Sequence, residues 1–122
     1  MNRIARLALP PVPTSAADAR RFVGSTLVGW GSDDVADAAR LLVSELVTNA
    51  VLHARTDVEV VVKLRRKGVR VEVRDGSPAT PTVRHYDDEA MTGRGIALVD
   101  QLANRWGVDT RNSGKTVWFE LA

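Results

Sequence analysis

The stretch from Val58 to Val73 constrains the fold most. Val58, Val60, Val62 and Leu64 recur at every second position, and after Arg66-Lys67-Gly68 the positions Val69, Val71 and Val73 do the same. A period of two puts each set on one face of a strand, and the short basic turn ending in glycine joins the two runs, so the segment reads as a β-hairpin. One face of that hairpin is branched aliphatic throughout and needs a cover. A helical pattern upstream supplies it. Ser32 caps this helix, with Asp33, Asp34 and Asp37 in its first turns, where the positive end of the helix dipole favours carboxylates. Val35, Ala38, Ala39, Leu42, Leu46, Val47, Ala50 and Val51 form a broad apolar stripe, and the helix runs to about Ala54.

The other elements follow the same logic. Residues 3–9 alternate loosely and stop at Pro10-Pro11, which suits an edge strand because proline cannot donate to a ladder. Ser15, with Asp18 three residues on, is a weak form of the capping box and opens a helix carrying Phe22, Val23 and Leu27, ended by Gly29 and Gly31. Asp75-Gly76-Ser77-Pro78 breaks the hairpin's second strand and begins a long connection over residues 76–92, which holds His85, Asp87, Asp88 and Glu89. Connections of that length in compact domains are usually functional or mobile. A third helix starts after Thr92-Gly93-Arg94-Gly95, with Ile96, Leu98, Val99 and Leu102 as its stripe and Gly107 as its stop. Residues 108–111 and 116–121 are expected as a last strand pair around Asn112-Ser113-Gly114. This order predicts an α+β fold, a two-layer α/β sandwich with a mixed, mostly antiparallel sheet and its helices on one face.

Composition sets the limits. A chain of 122 residues is expected to be a single domain spanning 1–122, with room for one core and a pocket beside it. Apolar residues at 44% exclude disorder. The absence of cysteine removes disulfides, thiolate zinc sites and iron–sulfur clusters, leaves only His53 and His85 as imidazole ligands, and agrees with a cytoplasmic location. Apolar runs are broken well before the roughly 18 residues of a membrane span, and the Arg-interrupted first residues read as no signal peptide. With 17 basic against 15 acidic residues there is no electrostatic footprint for nucleic acid, and Arg65-Arg66-Lys67 reads as a solvated hairpin turn.

The residues able to carry chemistry fall in three places. Glu45, Asn49 and His53 are spaced i, i+4, i+8 on the long helix and form one polar stripe beside its apolar face, with no basic residue among them. The set suits a hydroxyl or water activated by Glu45 and a hard cation given an oxygen ligand by Asn49; it equally suits a solvated helix face. Asp75, followed by Gly76, ends a strand where a carboxylate can accept from an amino group in a pocket, or simply start a turn. Gly93-Arg94-Gly95 precedes a helix whose first N–H groups could meet a phosphate, although a hinge at a helix start needs the same residues. Gly114-Lys115-Thr116 is no P-loop, because Asp109 stands where the earlier glycine is required and a strand follows.

Taken in order, ELVTNAVLHA, VRVEVRDGSP, TGRGIALVDQLANRWGV and GKTVWFEL resemble the GHKL ATP-binding superfamily, and most closely its small actinobacterial branch of anti-sigma regulatory factors that are also serine-protein kinases. The resemblance covers roughly residues 15–122. It implies the Bergerat-type fold, with ATP and Mg²⁺ held between helices and sheet under a lid at residues 79–92. It implies that Glu45 is the general base for the acceptor hydroxyl, Asn49 the magnesium ligand, and Asp75 with Gly76 the adenine site, backed by Thr116 through a hydroxyl or water. Gly93 and Gly95 would lie under the phosphates, with Arg94 in reach of one. The family's Asp-x-Gly-x-Gly is Asp75-Gly76-Ser77-Pro78-Ala79 here, so neither later glycine is present, and Pro78 removes an N–H donor. The implied partners are a sigma factor and an anti-sigma antagonist of the STAS type, with homodimerisation through the sheet edge near the N-terminus. The departure at Ser77-Pro78 motivates an alternative, a non-catalytic adaptor that senses nucleotide and binds a partner protein.

Overall fold

A computed structural model describes residues 2–77, 93–111 and 114–122, with the side chains of residues 93–96 outside that set. The elements are β1 (Arg3–Leu9), α1 (Ser15–Gly29), α2 (Asp33–His53), β2 (Val58–Arg65), β3 (Gly68–Asp75), α3 (Gly93–Leu102), β4 (Arg105–Arg111) and β5 (Gly114–Leu121). The five strands form one sheet in the order β1-β2-β3-β5-β4. Among the described residues every pairing is antiparallel, with no parallel pair of a mixed sheet. The α+β sandwich expected from the sequence is present.

Register explains which face is covered. Val60, Val73 and Val117 lie side by side across β2, β3 and β5, and Val62, Val71 and Phe119 form the next row. Both rows are buried and pack beneath Leu42, Leu46 and Val47 of α2 and Val23 and Leu27 of α1. Each such side chain removed from water contributes about 1.5–3 kcal/mol, which makes these rows the main source of stability. The α2 stripe is rotated slightly from the expected one: Ala36 and Val43 are fully buried, whereas Val35, Ala38 and Val51 pack at its margin. Among the described residues no helix is long and apolar enough to cross a membrane.

Helix ends show where local chemistry departs from its expected form. Ser15 is the first residue of α1 rather than its cap, and its hydroxyl donates to the Pro10 carbonyl at 2.6 Å, tying the helix start to the end of β1. Ser32 does occupy the N-cap of α2, without a side-chain hydrogen bond to the helix. The end of α1 is a Schellman motif: Gly31, at φ +80°, donates to the Val28 carbonyl, and Ser32 donates to that of Leu27.

Gly107 is not a helix stop. The helix ends at Leu102, and β4 begins at Arg105 with Gly107 in its interior, opposite Trp118. A Cβ at Gly107 would lie 2.7 Å from the Trp118 ring, so glycine is there to let the indole lie flat on the sheet. β5 likewise starts two residues earlier than the apolar run suggests, at Gly114.

Candidate functional site

The polar stripe on α2 is not a solvated face. Asn49 is 4% exposed and sits among the buried Leu46, Val47 and Ala50, while Glu45 one turn earlier is half-buried. Glu45 makes no hydrogen bond or ion pair with another described residue. His53 is the last residue of the helix. The chain leaves α2 through Ala54 and Arg55, the latter at φ +57°, and enters β2 at Val58. Val58 pairs with Asp75, so the C-terminal turns of α2 and the end of β3 meet at the same end of the sandwich.

Asp75 faces the helices. It shares its row with Val58 and Lys115, two residues beyond the Val60–Val73–Val117 row, and its side chain is 2% exposed. One carboxylate oxygen, Oδ1, accepts the backbone N–H of Ser77 at 3.0 Å; the other, Oδ2, lies 2.8 Å from Lys115 Nζ. Gly76 is held by its N–H, which donates to Thr56 Oγ1 at 2.8 Å. β5 comes unusually close: a Cβ at Gly114, whose φ is +149°, would stand 2.0 Å from the Asp75 carbonyl oxygen. Only glycine fits there, and it brings Lys115 directly alongside Asp75.

Thr116 does not back Asp75. It pairs with Arg74 and lies on the opposite face of the sheet, because side chains alternate along β5 and Val117, Phe119 and Leu121 point toward the helices. The neighbour of Asp75 is Lys115, a residue the sequence reading passed over. The signal was present: counting back by two from Leu121, Phe119 and Val117 puts Lys115 on the core face.

Gly93, Arg94 and Gly95 open α3, which packs on α2 and β4. Its far end is fixed beside the end of β5, where the Asn104 N–H donates to the Glu120 carbonyl, so the helix N-terminus leads back toward the Asp75 end. The Arg94 side chain and the expected lid over residues 79–92 lie outside the described residues.

The donor set fits a magnesium nucleotide. Among the described residues no cluster of three or more His, Asp or Glu could hold a metal by itself. Mg²⁺ does not require one, since it keeps several waters and takes one or two protein ligands together with phosphate oxygens. The Asn49 carboxamide oxygen is chemically able to serve as one such ligand. Asp75 offers a buried acceptor for an amino group.

A family model described as the histidine kinase-like ATPase domain matches residues 9–121 of the chain. No curated protein sequence matches it significantly.

Proposed function

From the premise that the chain belongs to the family of histidine kinase-like ATPase domains, a GHKL-type ATP-binding fold, we propose that it is an anti-sigma regulatory factor with serine-protein kinase activity. In this reading it works in the cytoplasm, sequesters a sigma factor and phosphorylates a STAS-type antagonist. The observation that carries it is that a buried carboxamide on α2, Asn49, and a buried carboxylate at the end of β3, Asp75, both lie toward the same end of the sandwich.

Asp75 accepts from the adenine amino group, and Asn49 supplies an oxygen ligand to Mg²⁺, which neutralises charge on the phosphates when bound. Gly93 and Gly95 bring the N-terminal N–H groups of α3 to the phosphates, and Arg94 adds a positive charge. Glu45 takes the proton of the acceptor serine. The serine oxygen then forms its bond to the γ-phosphorus as the bond from that phosphorus to the bridging oxygen breaks, and ADP leaves. Transfer of this kind depends on positioning and charge neutralisation more than on covalent help from the protein.

A second reading, a nucleotide-sensing adaptor without transfer, is favoured by Ser77-Pro78-Ala79, which replace the later glycines of the family's Asp-x-Gly-x-Gly after Asp75. Isothermal titration with ATP and ADP, with and without Mg²⁺, tests what both readings share. Binding should weaken without Mg²⁺ and in Asn49→Ala, and disappear in Asp75→Ala. Glu45→Ala separates the two: a kinase variant keeps ATP binding and loses transfer of radiolabelled phosphate to the antagonist. Transfer at the wild-type rate by that variant would remove Glu45 from the mechanism.

A further inference from the structure

We infer that Lys115 is a base-reading residue of the nucleotide site, donating to ring nitrogen N1 of adenine while Asp75 accepts from the neighbouring N6 amino group. The inference rests on the nucleotide-binding reading above and adds to it a recognition partner that its proposed site lacked.

Lys115 is placed by the backbone rather than by chance. The Gly114 contact with the Asp75 carbonyl fixes the start of β5, and the register sets Lys115 directly across from Asp75 on the helix-covered side. Its side chain is 7% exposed, an unusual position for a lysine, and the single partner it has among the described residues is Asp75 Oδ2 at 2.8 Å. An ammonium has three donors, so two remain for a ligand. The carboxylate also keeps lone pairs beyond those used by Lys115 and Ser77.

An acceptor and a donor side by side are complementary to two adjacent groups of opposite kind. The Watson–Crick edge of adenine presents that arrangement, an amino donor at N6 beside an acceptor at N1. A carboxylate alone would read only the amino group. With Lys115 the contact becomes bidentate, and the carboxylate stays charge-compensated when the base excludes water.

The test uses the wild-type chain and three magnesium nucleotides: ATP, 1-deaza-ATP and GTP. In 1-deaza-ATP a C–H replaces N1 and the N6 amino group is kept. Loss of a hydrogen bond from a charged donor should weaken binding roughly ten- to hundredfold relative to ATP. In Lys115→Met the two adenine nucleotides should bind within about twofold of each other, because the donor that distinguished them is gone. Equal affinity of ATP and 1-deaza-ATP for the wild type overturns the role of Lys115 and leaves the nucleotide site intact. A deficit for 1-deaza-ATP that persists unchanged in a folded Lys115→Met does the same. GTP binding more tightly than ATP would overturn the adenine assignment, because guanine offers N1–H to Asp75 and O6 to Lys115. Failure of wild type to bind ATP at all removes the nucleotide reading and this inference together. Should Lys115→Met fail to fold, the wild-type comparison of ATP with 1-deaza-ATP still decides.

Discussion

Two buried carboxylates stand three residues apart on β3 and face opposite sides of the sheet. Glu72 lies on the side without helices, where Lys63, Arg70 and Arg74 all contact it, at 3.1 Å for Lys63 and 2.8 Å for Arg70. Asp75 lies under the helices and has one cation and one backbone N–H. Burial alone would push the Glu72 carboxyl up, but the hydrogen bonds from Arg70, Arg74 and Lys63 outweigh it and hold the group at about 2. Glu72 is saturated, and its task is to let a sheet face bearing Glu59, Lys63, Arg70, Arg74 and Glu120 pack as a neutral ladder. Asp75 has acceptor capacity to spare at the end of a strand. Three cations crowd the two oxygens of Glu72, whereas each oxygen of Asp75 carries a single partner, so Asp75 is the one that keeps lone pairs for a further donor.

The largest expected effect separates the two by exchanging stability for affinity. Glu72→Ala leaves three cations facing an empty site and should cost about 3 kcal/mol of unfolding free energy, read from urea denaturation. Its affinity for ATP should stay within about twofold of wild type, since no part of Glu72 faces the helices. Asp75→Ala should abolish ATP binding, and because it leaves the buried Lys115 without its carboxylate, its own stability cost is read in the same denaturation experiment. A Glu72 variant that loses ATP binding while remaining folded would show that the two faces are coupled, and the comparison would fail.

Acid should act on Glu72 in a defined window. Its folded value of about 2 lies below the ordinary 4.5, so the contribution of the carboxylate is complete above about pH 4.5 and is lost as pH falls toward about 2. The thermal unfolding midpoint of wild type, followed by circular dichroism, should drop through that window. Glu72→Gln should start lower and fall less steeply. Parallel curves for the two proteins would assign acid sensitivity to other carboxylates.

The same contrast explains what could be read from the sequence. Strict alternation made the β2–β3 hairpin and its covered face legible from Val58 to Val73, and helical spacing did the same for α2. Asn49 was legible as a candidate through its i, i+4, i+8 spacing with Glu45 and His53, and Asp75 through its place before Gly76 at a strand end. What the sequence alone hides is pairing between distant strands. Glu72 looks like an ordinary outward residue until β2 and β5 bring Lys63 and Glu120 to its face. Gly107 misled for a related reason: a glycine after a helical stripe is a common stop, and only the partner strand shows that Trp118 needs its missing side chain. Thr116 enters only through the resemblance, although the parity of TVWFEL already puts it on the face opposite Val117 and Phe119.

The smallest effect tests whether the open face weakens outward from Glu72. Arg70 lies over the Trp118 ring with its guanidinium carbon 4.0 Å from the centroid and also reaches Glu120 at 3.3 Å, so it links the centre of the ladder to the neighbouring strand. Arg105, on edge strand β4, is 5.8 Å from the same ring and 3.4 Å from Glu120, but its side chain is 72% exposed. Solvent screens that pair, and holding a long side chain in place offsets the gain, so Arg105→Ala should cost under about 0.5 kcal/mol. Arg70→Ala removes a half-buried cation shared by Glu72, Glu120 and the indole, and should cost about 2 kcal/mol. Urea denaturation of the two variants side by side gives the gradient. Similar losses would mean that the ladder is bound as strongly at its edge as at its centre, and that Glu72 owes its low value to the whole face rather than to its nearest cations.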